Sequence, residues 1–283
     1  MGSVWDFIKG VVKLIRVPNC TVAGVAVIFS AYISLHYNVD IIAFVNGFLT
    51  GFFITGAAMV VNDIFDIEVD AVNAPDRPLV SGVVSVRAAY ILSVFLIVLG
   101  LAFSVLEGVF AFVIAVVFAL IAMIYNGKLK VYGVYGNILV ALCVVAPFLY
   151  GMAIAESIDL VVVAFSIMAF LVNVAREIIK DTMDIKGDLR RGVKTLPMKI
   201  GVKKSAYTAF ILTFIAVVIS LVIYPILELS VLYLGFVIPS IAIFMYAVSV
   251  YALNPNLENA RKCKRMYLVA MMIALIALLL SRV

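Results

Sequence analysis

Nine runs of mostly apolar residues, each close to 20 residues long, recur along this chain and leave it few ways to fold. A helix that crosses about 30 Å of hydrocarbon needs roughly 20 such residues. Inside a bilayer every backbone polar group must find its partner within the protein, so runs of this length read as α-helices. They lie at about 17–36, 41–61, 88–106, 108–125, 136–154, 158–176, 205–225, 230–252 and 266–282. Composition agrees: 66% of the residues are apolar and 13% charged, against about half and a quarter in soluble domains. The expected fold is an all-α integral membrane protein, a single domain over 1–283 with nine transmembrane helices.

The placement of Lys and Arg is an independent check, because these residues accumulate on the cytoplasmic side. With the N-terminus inside, Lys9, Lys13, Arg16, Arg77, Arg87, Lys128, Lys130, the nine from Arg176 to Lys204, and Arg261, Lys262, Lys264 and Arg265 are all cytoplasmic. Of the 21 Lys and Arg, only Arg282 falls outside. The outer connections carry acids instead: Asp40, Glu107, Glu156, Asp159 and Glu228. The expected protein is multi-pass in the cell membrane, with the N-terminus cytoplasmic and the C-terminus outside. The net charge of +5 follows from this topology and does not point to nucleic acid. Residues 1–16 show no cleavable signal pattern and read as a partly amphipathic lead-in at the interface. Cys20, Cys143 and Cys263 lack metal-ligand spacing and predict no disulfide, and His36 alone makes no metal site.

Against this apolar background, one acidic spacing occurs twice: Asp63-x2-Asp66-x3-Asp70 and Asp181-x2-Asp184-x3-Asp188. On a helix with 3.6 residues per turn, positions i, i+3 and i+7 fall within roughly 60 degrees, so each triplet presents its carboxylates on one face. Such a face repels itself and, at a helix C-terminal end, opposes the macrodipole. Ordinary charged helix ends do not explain two copies of one spacing, whereas a hard cation that takes oxygen ligands does, Mg2+ above all beside phosphates. Glu68 and Lys186 stand roughly 140 degrees from these faces and are expected to point away.

Two long connections, at about 62–87 and 177–204, each begin with a triplet, and NDIFDIEVDAVNAPDRPLVSG aligns with KDTMDIKGDLRRGVKTLPMKIG as an internal repeat. Repeat symmetry predicts that the triplets face one another around one cavity. Six carboxylates and a diphosphate sum to about −9 and two Mg2+ return about +4, so nearby cations must supply the rest. Arg16, Arg77, Lys128, Lys130 and Lys180 are the candidates. Lys180 stands where the first repeat has Asn62, and the amides of Asn62 and Asn19 are suited to a metal or a phosphate.

These residues together resemble the UbiA-type intramembrane prenyltransferases. The likeness rests on N-D-x2-D-x3-D at Asn62, Asp63, Asp66 and Asp70, on D-x2-D-x3-D at Asp181, Asp184 and Asp188, on R-x-P-N from Arg16 to Asn19, and on Y-x3-L-K from Tyr125 to Lys130. It covers nearly the whole chain. The resemblance implies nine helices around a central cavity, cytoplasmic cap loops after helices 2 and 6, two Mg2+ bridging an isoprenyl diphosphate, and a lateral opening for the lipid chain. It implies catalytic roles for Asp63, Asp66, Asp181, Asp184 and Lys130, with Asn62, Asp70 and Asp188 completing the metal ligands. Arg16, Asn19, Arg77, Tyr125, Lys128, Lys130, Lys180, Arg190, Arg191 and Lys194 would bind substrate.

Within the family, NAPDRPLVSG and the stretch from REIIKD to GDLRRGVKTLP look like the archaeal branch that forms the second ether bond of membrane lipids, the digeranylgeranylglyceryl phosphate synthases. That implies transfer of a geranylgeranyl group to the hydroxyl of geranylgeranylglyceryl phosphate. The basic run Arg190, Arg191 and Lys194 favours a phosphorylated acceptor over an aromatic one. An ion-coupled transporter is the alternative from another class, but its acidic groups belong near the midplane, in broken helices. An alcohol phosphatidyltransferase would need a D-G-x2-A-R arrangement that is missing here.

Overall fold

The computed structural model describes residues 4–38, 40–124, 133–190 and 193–283. Among them there are only helices and turns. In chain order these are α1 Val4–Ile15, α2 Val17–Ser34, α3 Ile41–Phe65, α4 Ile67–Asn73, α5 Val86–Val105, α6 Val109–Ile124, α7 Val134–Ile154, α8 Leu160–Arg190, α9 Leu196–Ile200, α10 Val202–Ile226, α11 Val231–Leu253 and α12 Leu257–Leu279. Seven of the described helices are long and apolar enough to cross a membrane: α2, α3, α5, α7, α8, α10 and α11. Helix α6 is apolar but has 16 residues, and α12 carries Glu258, Arg261, Lys262, Lys264 and Arg265 in its first half. The protein is a multi-pass membrane protein.

The chain divides into two compact units, one of residues 1–128 with 146–157 and the other of 129–145 with 158–283. In the first, α3 is the central element, packed on α1, α2, α5 and α6. Lipid tails are as apolar as Leu, so burial alone gives helices little reason to associate in a bilayer, and small residues that let backbones approach supply the contact. Helix α3 carries Gly47 and Gly51 one turn apart. A Cβ on Gly47 would stand 2.8 Å from Ile154, and one on Gly51 would stand 3.3 Å from the Cα of Gly24. Leu14, Ala57, Val60, Ile64, Leu79, Val84, Ala89 and Leu96 pack as one cluster joining α1, α3, α5 and the turn after α4. That cluster seats the segment carrying Arg77 beside the end of α3.

In the second unit α8 is central and packs on α9, α10 and α12. Two-thirds of its membrane-length stretch is buried (67%), more than in any other such helix. Three fully buried tyrosines tie the unit together, each with its hydroxyl satisfied, as burial of a phenol demands. Tyr251 meets Thr182 at 2.7 Å, Tyr267 meets Thr213 at 2.5 Å, and Tyr233 donates to the Ser220 carbonyl at 2.7 Å. Asp159 caps α8 by accepting from Val161 N at 2.8 Å and pairs with Arg282 at 2.7 Å. Asp40 likewise caps α3, accepting from Ala43 N at 3.0 Å. Two of the acids expected in outer connections are therefore helix caps.

The long connection expected at 177–204 is mostly helix. Helix α8 runs 31 residues, about 46 Å at 1.5 Å per residue against roughly 30 Å of hydrocarbon. Its polar end is still helical because REIIKDTMDIKGDLR holds no proline and makes few demands on special dihedrals. Proline enters only at Pro197, in the first turn of α9, where its missing N–H costs nothing.

Candidate active site

The first acidic triplet straddles a break. Asp63 lies in α3, Asp70 in α4, and Asp66 is the joint between them with φ −95 and ψ 0. Helical bonding nevertheless continues through it, Asp66 N to Asn62 O at 3.0 Å and Asp70 N to Asp66 O at 2.8 Å. The one-face argument therefore survives the break. Asp63, Asp66 and Asp70 are all buried, and Glu68 is exposed, as its angle predicts.

Buried carboxylates need counter-charge, and here two arginines supply it. Arg16 Nη2 lies 2.5 Å from Asp63 Oδ1. Arg77 Nη1 reaches the same oxygen at 3.1 Å and also pairs with Asp70. Asn62 donates Nδ2 to Asp66 Oδ2 at 3.1 Å. The Asp70 carboxyl is still held above its ordinary range, first by burial and then by its neighbours Asp66 and Asp63, which together outweigh the opposing charge of Arg77. Arg16 and Arg77 thus stand at the carboxylates themselves. Asn19 is exposed in the first turn of α2, and no hydrogen bond among the described residues joins its amide to the triplet.

The second triplet lies on the unbroken α8. Asp181 is buried and accepts from Asn137 Nδ2 at 2.8 Å, while Asp184 and Asp188 are half-buried. The neighbouring Thr182 to Tyr251 bond fixes the rotation of α8 that aims Asp181 at Asn137. Lys180 places its Nζ 3.2 Å from Glu177 Oε2. Arg176 meets the other oxygen of Glu177 at 3.2 Å. Lys194 is exposed after α8, and its carbonyl crowds Gly133, whose Cβ position would lie 2.2 Å away. Tyr125, Lys128, Lys130 and Arg191, together with the side chains of Lys186 and Arg190, lie outside the described residues.

Asn137 and Glu177 were missed in the sequence. The signal was present, since an amide or an ionisable group in a membrane-length apolar helix calls for a partner. What it lacked was the partner's identity, which only packing supplies.

Among the described residues no three His, Cys, Asp or Glu side chains close around one point as a metal cage. Mg2+ does not require that, because it takes one or two carboxylates together with water and substrate phosphates. Hard oxygen donors that are buried, clustered and balanced by part-exposed arginines fit such an ion.

Comparison with known proteins places the chain in a family and a fold. Residues 23–278 match the UbiA prenyltransferase family. The chain is 35% identical to the digeranylgeranylglyceryl phosphate synthase of Methanocaldococcus jannaschii over 100% of this chain and 99% of that one. It is also 35% identical to the enzyme of the same name from Pyrococcus horikoshii, over 96% and 97%. A solved structure of a digeranylgeranylglyceryl phosphate synthase superposes with a TM-score of 0.79 at 34% identity, covering 97% of this chain and 98% of that one. A UbiA homologue from Archaeoglobus fulgidus, bound to GPP and Mg2+, shares the fold at a TM-score of 0.66 and 20% identity, over 95% and 99%. The chain belongs to the UbiA prenyltransferase family.

Proposed function

We propose that this protein transfers a geranylgeranyl group from geranylgeranyl diphosphate to the hydroxyl of geranylgeranylglyceryl phosphate, in a Mg2+-dependent reaction that forms the second ether bond of an archaeal membrane lipid. The observation that carries this reading is the buried triplet Asp63, Asp66 and Asp70 with Arg16 and Arg77 laid against it. The full-length likeness to digeranylgeranylglyceryl phosphate synthases supports the choice of acceptor.

Asn62 and the carboxylates of the triplets would hold the Mg2+ that a diphosphate needs, two ions in all, and Lys130 would bind its phosphates. Mg2+, when bound, supplies the charge that makes diphosphate a good leaving group. With a cation on the carboxylates, Arg16 and Arg77 would be free to bind the phosphates, where a planar fork matches two oxygens at a time. The allylic C–O bond then breaks toward a carbocation. Diphosphate leaves with the bonding pair, and the acceptor oxygen captures the carbocation, its proton passing to the released diphosphate or to an Asp of either triplet. Apolar walls of Phe, Leu, Ile and Val keep water from the cation. Nine helices cross the membrane, α6 and α12 among them, as one domain with the N-terminus and the two long connections that carry the acidic motifs on the cytoplasmic side and the C-terminus outside.

The test is product identification. Purified protein with Mg2+ and geranylgeranyl diphosphate is offered geranylgeranylglyceryl phosphate or 4-hydroxybenzoate, and products are identified by mass spectrometry. The proposal expects prenylation of the glyceryl phosphate alone. Prenylation of the aromatic acceptor, or of neither, overturns it.

A further inference from the structure

We propose that Arg176, Lys180 and Lys264 form the site for the acceptor's phosphate monoester, with Glu177 as the buried carboxylate that holds the cations in place. The inference rests on the reading of the chain as a glyceryl-phosphate prenyltransferase. All four side chains belong to one unit.

Glu177 is 5% exposed and gives one oxygen to each neighbour: Oε1 to Arg176 Nη1 at 3.2 Å and Oε2 to Lys180 Nζ at 3.2 Å. The cations are the open part of the cluster, with side chains 21% exposed at Arg176 and 37% at Lys180. Lys264, at the head of α12, sits in the electrostatic field of Arg176, Lys180, Glu177 and Asp184. Arg176 Nε is buried with no hydrogen-bond partner among the described residues, which a native protein seldom tolerates without a ligand or water. Arg176 and Lys180, held on the two oxygens of one carboxylate, repel one another just as clustered carboxylates do.

The charges match one ligand class. Three positive groups and one buried carboxylate leave about +2 when Asp184 is engaged with a metal ion, and a phosphate monoester carries about −1.5 to −2 at pH 7. Position on the helix matches as well. At 100 degrees per residue, Arg176 and Lys180 occupy an arc of roughly 40 degrees, and Asp184, Asp188 and Asp181 follow it between roughly 80 and 140 degrees. The basic strip lies alongside the acidic one, slightly toward the start of α8. An acceptor phosphate bound there sets the glycerol hydroxyl, at most the length of a three-carbon backbone away, beside a diphosphate bound at the aspartates.

Initial rates of the full chain with geranylgeranyl diphosphate are measured against geranylgeranylglyceryl phosphate and against the same lipid without its phosphate, geranylgeranylglycerol. The wild type is expected to prefer the phosphate strongly. Lys264→Met and Arg176→Gln should each raise the KM for the phosphorylated acceptor about tenfold or more, leave the donor KM unchanged, and lower the preference for phosphate over alcohol by a similar factor. Lys264→Arg should retain the preference. A rise in donor KM in place of acceptor KM assigns the cluster to the diphosphate and overturns the inference. An unaltered preference in the variants also overturns it. Equal use of phosphate and alcohol by the wild type does so without any variant, should the substitutions prevent folding. A wild type that makes no product from the phosphorylated lipid overturns the underlying reading first, which separates the two failures.

Discussion

Arg16 places its guanidinium 2.5 Å from Asp63 although its own backbone is left-handed, with φ 56. An L-residue pays about 1–2 kcal/mol for that conformation, and such strain persists only where the surrounding structure fixes it. Arg16→Ala keeps the strained backbone and loses the pair, so the metal-free protein should lose roughly 1–3 kcal/mol, less than a fully buried pair because Arg16 is part-exposed. Arg16→Gly should be milder in stability by about 1 kcal/mol and just as damaged in donor affinity. Thermal unfolding with and without Mg2+ measures this, and Mg2+ should recover stability in both variants.

Asp66 and Glu68 are two residues apart and have opposite surroundings, one buried and one exposed. Asp66→Asn should reduce turnover about a hundredfold or more, the scale of a lost electrostatic partner at a reacting centre. Glu68→Gln should stay within about twofold, as solvated surface changes do. Steady-state rates at saturating Mg2+ decide it. A comparable loss in both would show that the shared-face geometry does not govern the site.

Asn137 is the described hydrogen-bond donor to Asp181. A hydrogen bond to a charged group contributes about 1.5–3 kcal/mol, so Asn137→Ala should shift the Mg2+ dependence of the rate by about tenfold or more. Asn137→Asp, which sets a second carboxylate against the first, should be worse. Half-maximal Mg2+ concentrations for the three proteins give the order.

Gly133 has φ 58, and a Cβ there would lie 2.2 Å from the Lys194 carbonyl. Gly133→Ala therefore adds left-handed strain of about 1–2 kcal/mol to a clash with backbone that cannot rotate away. The unfolding temperature should fall, with the loss appearing in purified protein whether or not substrate is present.

Much of this was legible in the sequence because the membrane simplifies the problem. Length and hydropathy locate α2, α3, α5, α7, α8, α10 and α11, since a bilayer forbids unpaired backbone. The i, i+3, i+7 spacing places Asp63, Asp66 and Asp70 together and turns Glu68 away. What the pattern did not contain was tertiary. The charge count singles out Arg16, Arg77 and Lys180 as cations near the site, and packing adds which carboxylates they meet, Arg16 and Arg77 the first triplet and Lys180 Glu177. The pattern ended the sixth span at 176, because falling hydropathy marks where a helix leaves hydrocarbon and not where it stops.

The proposed reaction needs both acidic triplets and divalent ions for the diphosphate. Equilibrium binding of Mn2+, with and without an unreactive thiolo analogue of geranylgeranyl diphosphate, tests it most directly in the wild type, Asp63→Ala and Asp184→Ala. The expected result is two ions per chain only when the analogue is present, with analogue binding lost in either variant. One ion per chain, or undiminished analogue affinity after removal of either aspartate, would contradict it.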